Sequence, residues 1–154
     1  MLSNNEKPDK PYEFFDVTAD IGFLSYGNTL EEAFENAGLA MFNIISNTDN
    51  VDPVEDMDIE VESEDLVSLL YDYLEELLFL HEVNFILFSK FNVGIEKIDG
   101  DNGNQYRLKA NIKGESINWD VKHERGSEVK AITFHMMEVK RIDDYYRLRV
   151  ILDL

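Results

Sequence analysis

The chain has 154 residues with 32 acidic against 14 basic side chains, a formal charge of −18 and an isoelectric point near 4.3. That length suits one domain with one core, and a hydrophobic share of 44% supplies the apolar surface to order it. The composition excludes disulfides and thiolate chemistry, since there is no cysteine, and it disfavours bare nucleic acid, whose binding depends on basic contacts that release counterions.

The charge is unevenly spread. Residues 1–119 hold 25 acids and 7 bases, whereas residues 120–154 hold 7 of each. No stretch approaches the roughly 18 apolar residues of a membrane span, and nothing at the amino terminus reads as a targeting signal. The expectation is a cytoplasmic protein, with residues 1–10 disordered and a single domain over residues 11–154, whose partner is a basic protein or a hard cation.

In chain order, "YEFFDVTADIGFLSYG" reads as a strand, a break near Ala19 to Gly22, and a second strand. From Asn28, taken as a cap, Leu30, Ala33, Phe34, Ala37, Met41, Ile44 and Ile45 recur at helical spacing. Gly38 inside that helix costs about 1 kcal/mol of propensity, which implies close approach to a sheet.

Residues 49–65 carry nine acids and no base, and "MDIEVES" within them reads as an edge strand with its acids in water. A second helix is expected from a Ser63 cap, with a wide stripe of Leu66, Leu69, Leu70, Tyr73, Leu74, Leu77 and Leu78. After a short apolar connector, "FNVGIEKI" and "QYRLKANIKG" form a hairpin around "DGDNGN", and "EVKAITFHMMEVKRI" and "YYRLRVILD" form another around "DD". Hairpins packed with two amphipathic helices make an α+β antiparallel domain.

The chemistry in this chain is sparse. There is no phosphate loop, dinucleotide fingerprint, HExxH or GxSxG motif. His81 reads as a partly buried helix-end residue. His135 alternates to one face of a strand, which is either core or pocket. His123 sits in a mixed-charge loop with Lys122, Glu124, Arg125 and Lys130, read either as a solvated loop or as a recognition surface.

Two aspartates interrupt apolar runs that would penalise an unpaired charge. Asp16 reads as a carboxylate on the wet face of a strand or a turn cap. Asp20 falls where the strand pattern breaks, so it either caps a turn or binds a ligand or metal. At the chain end, Asp153 and the terminal carboxylate of Leu154 lie side by side after an apolar strand, and a divalent cation or basic neighbour would relieve their repulsion.

The blocks "FDVTADIGFLSYG", "LEEAFENAGLAMF", "DLVSLLYDYLEELLFL", "GESINWDVKHERGSEVKAITFH" and "VILDL" together resemble the archease family, in order and over nearly the whole chain after residue 11. The resemblance implies the archease fold and a non-catalytic partner of RtcB, the ligase that joins RNA ends in tRNA splicing and RNA repair. That partner promotes guanylylation and multiple turnover of the ligase and broadens its nucleotide use.

It further implies a divalent-metal site, with calcium, held by Asp20, Asp153 and Leu154; oxygen donors also suit magnesium or manganese, and the residues read on their own add Asp16 and His135 as weaker candidates. Lys122, His123, Glu124, Arg125 and Lys130 are candidate contacts to the ligase, and no tight binding to RNA alone, DNA or membrane is expected. The competing readings are a stand-alone metal-dependent phosphoesterase with His135 as base, and a chaperone-like modulator. The family's "AITYH" stands here as "AITFH", so Phe134 lacks a hydroxyl.

Overall fold

The computed structural model describes residues 6–154. The expected disorder over residues 1–10 therefore lies partly outside the described residues, and residues 6–10 belong to no helix or strand. The elements are β1 (Tyr12–Val17), β2 (Asp20–Gly27), α1 (Leu30–Ile45), a 3-10 turn (Thr48–Asn50), β3 (Glu55–Ser63), α2 (Leu66–Asn84), β4 (Ile86–Lys97), β5 (Tyr106–Ser116), β6 (Ala131–Ile142) and β7 (Tyr145–Asp153). This is the α+β antiparallel fold expected, built as two sheets: β1-β2-β7-β6 and β3-β5-β4. Each helix packs on both. α1 lies against β2 and β7 of the first and β4 of the second, and α2 against β6 of the first and β3, β4 and β5 of the second. No helix among the described residues is long and apolar enough to cross a membrane.

The break expected over Ala19 to Gly22 is a two-residue turn. Val17 pairs with Asp20, and Ala19, the second turn residue, takes a positive φ of 64°. Gly22 lies inside β2 instead, because the Phe15 ring from β1 occupies the space a Cβ would need.

The helix starts also move. Thr29, not Asn28, caps α1. Its Oγ1 accepts from Glu32 N at 3.1 Å while Glu32 Oε1 accepts from Asn28 N, one residue before the cap, at 2.9 Å. Asp65, not Ser63, caps α2 by accepting from Ser68 N at 2.8 Å. Ser63 remains paired with Tyr106 as the last residue of β3, and its hydroxyl donates to Asp72.

The stretch read as a connector before "FNVGIEKI" is the start of β4, since Ile86, Leu87 and Phe88 pair with Ser116, Glu115 and Gly114 before a bulge at Ser89. β3 is an edge strand with its acids exposed, as its alternation required. Gly38 admits the Phe91 ring of β4, which a Cβ would meet at 2.9 Å. His81 ends α2 half-buried, its Nδ1–H donating to Ile86 O at 2.7 Å and its ring edge-on to Phe42.

A Cβ on Gly114 of β5 would fall 1.8 Å from the Leu87 carbonyl oxygen of β4. Backbone cannot yield there as a flexible side chain can. Gly114→Ala is therefore expected to cost about 2 kcal/mol or more and to lower the thermal midpoint by about 4–8 °C. An unchanged midpoint in a calorimetric scan would contradict this packing.

Candidate functional site

β2 and β7 pair antiparallel from Gly27 opposite Tyr146 to Asp20 opposite Asp153. On β7 the side chains of Leu148, Val150 and Leu152 are fully buried, as is Phe23 on β2. The alternate positions share the other face, so the register sets Asp20 and Asp153 side by side at one end of the sheet. Val17 of β1 and Ala131 of β6 flank the pair. Among the described residues, neither carboxylate forms an ion pair.

Like charges opposite one another in a ladder are destabilising, and among the described residues no basic side chain is paired with either. Leu154 follows directly, half-buried against the core, so the terminal carboxylate is tethered one residue beyond Asp153. Among the described residues no three His, Asp or Glu side chains are grouped to hold an ion. Two aspartates and the chain end are the available donors. All are oxygens, a set suited to a hard divalent cation.

The other candidates fall elsewhere. Asp16 pairs with Ile21, one position out of phase with Asp20, and is exposed on the opposite face. His135 lies four residues along β6 from Ala131, exposed in the bulge between Thr133 and Glu138. Beside it Phe134, lacking a hydroxyl, stacks flat on Tyr71 of α2 at 4.0 Å.

The loop joining β5 to β6 departs most from expectation. His123 is not solvated but buried, at 4% exposure. Its Nδ1 accepts from Asn118 N at 2.9 Å, so the ring proton sits on Nε2, facing Glu115 Oε2 at 3.3 Å. Lys122 Nζ lies 2.7 Å from both Asp52 Oδ2 and Glu115 Oε2, and Asp52 N donates to Glu115 Oε2 at 2.6 Å. Desolvation pushes the Glu115 carboxyl up, but the bonds from Lys122, Asp52 N and His123 outweigh it and leave its pKa below the ordinary value. Lys122 is correspondingly raised by Asp52 and Glu115. Asp52 and Glu115 escaped the sequence reading, because a carboxylate in an acidic stretch and one at a strand end carry no local sign that a distant lysine and histidine converge on them.

Beyond His123 the chain becomes a strap. Arg125 lays its guanidinium over Trp119, 4.8 Å from the ring centroid. Gly126 N and Ser127 N donate at 2.9 Å to Ile45 O and Ile44 O, supplying partners for carbonyls at the open end of α1. Glu124 is exposed, and its carbonyl accepts from Ser46 Oγ at 2.7 Å. Lys130 N then donates to Asp153 O at 2.8 Å. The strap thus delivers Lys130 to the Asp20–Asp153 end of the sheet and leaves Lys122 and His123 at the Asp52–Glu115 cluster.

Comparison with known proteins gives one consistent result. The archease protein family matches residues 12–154. Protein archease of Methanothermobacter thermautotrophicus is 55% identical over 146 residues, covering 94% of this chain and 99% of the relative. Protein archease of Pyrococcus furiosus is 47% identical over 135 residues, covering 88% and 92%. The solution structure of Methanobacterium thermoautotrophicum protein 1598 superposes with a TM-score of 0.82 at 53% identity, covering 94% of this chain and 99% of that one. The crystal structure of a Thermotoga maritima archease, described as a possible chaperone, shares the fold with a TM-score of 0.59 at 21% identity, covering 97% and 99%.

The Glu115 cluster makes a signed prediction. Because the folded carboxyl titrates below its unfolded value, its contribution is complete above the ordinary carboxylate range and is lost as pH falls through the lowered folded pKa. Glu115→Gln should be about 1 kcal/mol less stable than wild type near neutral pH, with the gap closing in strong acid. Paired denaturant titrations across pH check this, and a gap that widens with acidification would contradict it.

Proposed function

The chain belongs to the archease family, and on that premise we propose that it acts in the cytoplasm as a non-catalytic activator of the RNA ligase RtcB, promoting guanylylation and multiple turnover. The observation that carries this reading is the unrelieved opposition of Asp20 and Asp153 beside the terminal carboxylate of Leu154. Two carboxylates opposed in register, with the chain end one residue further on, support a role that presents charge to a partner.

The ion would be held by Asp20, Asp153 and the Leu154 carboxylate. When bound, it supplies a fixed positive charge that offsets their repulsion, with calcium, magnesium and manganese all meeting the donor chemistry. The protein's own part is positional. β2 and β7 hold the two carboxylates in register, and the strap fixes Asp153 through Lys130 N. The polar rim so formed, with Lys130 and the exposed Glu124 on the strap, is the surface offered to the ligase, while Lys122 and His123 act as braces for the loop behind it.

A stand-alone phosphoesterase is less well supported, since His135, its candidate base, is four residues along β6 from the neighbour of Asp153. A chaperone-like role draws support from the description of the Thermotoga maritima relative as a possible chaperone.

The experiment adds the protein in catalytic amounts to RtcB of the same organism with RNA ends, GTP and manganese. Wild type should raise both guanylylation and turnover. Asp153→Asn or removal of Leu154 should lower the gain by about tenfold or more, with the fold intact by circular dichroism. No gain with wild type would overturn the proposal, and a full gain with both variants would remove the carboxylate rim from it.

A further inference from the structure

The carboxy-terminal end of α2 turns apolar side chains to solvent. Phe79 and Val83, one turn apart on one face, are 54% and 62% exposed, and Phe85 is 49% exposed. Phe85 is also strained. It closes α2 with φ 53° and ψ 53°, the left-handed conformation in which glycine or asparagine is at ease and a bulky residue is not. A ring held half in water at a backbone position that disfavours it is not explained by folding alone, and such outliers gather at binding surfaces.

Beside Phe85 opens a cavity of ≈ 340 Å³. Buried Ile45 and Val129 line it, as does Trp119, whose ring centroid lies 4.8 Å from the Arg125 guanidinium carbon. Glu82 and Glu128 stand on its rim. Among the described residues neither of these carboxylates forms an ion pair. A pocket of mixed polarity with aliphatic and aromatic side chains in its lining and carboxylates at its edge has the make-up of an interface anchor site.

We propose that this cavity and the exposed end of α2 are a docking site for a basic segment of a partner protein, which inserts one large apolar side chain between Phe85 and Trp119 and sets lysine or arginine against Glu82 and Glu128. Charge selects this occupant. The chain carries −18, the rim carboxylates form no ion pair among the described residues, and a second copy would bring the same charge and be repelled. The volume admits one or two large side chains, at the lower end of the range for ligand pockets. Arg125, 4.8 Å from the Trp119 ring centroid, adds one positive charge to the lining against the two carboxylates. The inference stands apart from the ligase reading, since it concerns a different set of side chains and is tested without the ligase.

Trp119 is the single tryptophan of the chain, so its emission reports on this cavity. Three capped hexapeptides, KKFLKK, EEFLEE and KKAAKK, serve as probes in fluorescence titrations. KKFLKK should shift the emission saturably, with the other two weaker by about tenfold or more. Phe85→Asn, which suits the left-handed backbone, should keep the thermal midpoint while weakening KKFLKK by a similar factor. The double variant Glu82→Lys, Glu128→Lys, both at exposed positions, should do the same. The proposal is overturned by the absence of a saturable shift, by EEFLEE or KKAAKK binding as well as KKFLKK, or by affinity unchanged in both variants. A shift that grows with protein concentration alone would assign the site to a second copy and equally overturn it.

Discussion

The pairing of β2 with β7 is the constraint on which the molecule depends. It joins the second strand to the last, placing the two central strands of the larger sheet together with Phe23, Val150 and Leu152 fully buried on their inner side. With the inner side chains locked in the core, register is not free to slip, because a shift of one residue would turn every buried side chain outward. The same lock forces Asp20 against Asp153. The carboxylate pair is therefore not a local accident of either strand. It is held by apolar burial several residues away, which stabilises the arrangement against the repulsion of the two charges.

The strap between β5 and β6 links that pair to the rest of the fold. It begins in the Asp52–Glu115–Lys122–His123 cluster, supplies amides to the end of α1, and finishes on the Asp153 carbonyl. Gly126 has to be a glycine for this path, since a Cβ would sit 2.4 Å from the Ile44 carbonyl oxygen. A loop without helix or strand is thus tied down at three places by groups that would otherwise be left without partners. One end of the domain carries the anionic rim and the apolar cavity on either side of this strap, with Val129 in the cavity floor and Lys130 bonded to Asp153.

Features with local causes were legible in the sequence. The stripes of α1 and α2, the acid-faced edge of β3 and both late hairpins follow from side-chain periodicity, and the close approach at Gly38 follows from a glycine inside a helix. Where distant pairing decides, the reading shifted. The cap of α2 moved from Ser63 to Asp65, which reaches Ser68 N, and Ile86 to Phe88 became strand because β5 was there to pair with them. The division into two sheets depends on partners far apart in sequence and leaves no local trace. Asp20 stood out as a carboxylate at a break in an apolar run, but its position opposite Asp153 is a property of the register. The burial of His123 depends on Glu115 and Asn118 closing around it, and the strain at Phe85 is invisible without the backbone angle.

The central claim is that the β2–β7 register holds a repelling carboxylate pair that a hard cation relieves, and thermal unfolding of the wild type and Asp20→Asn in chelator and in calcium tests it most directly. In chelator the variant should melt above wild type, because the repulsion is gone. In calcium at about a hundred times the dissociation constant, wild type should rise by about 5–10 °C and the variant should not respond. A wild-type midpoint that is the same in chelator, calcium, magnesium and manganese would contradict the account.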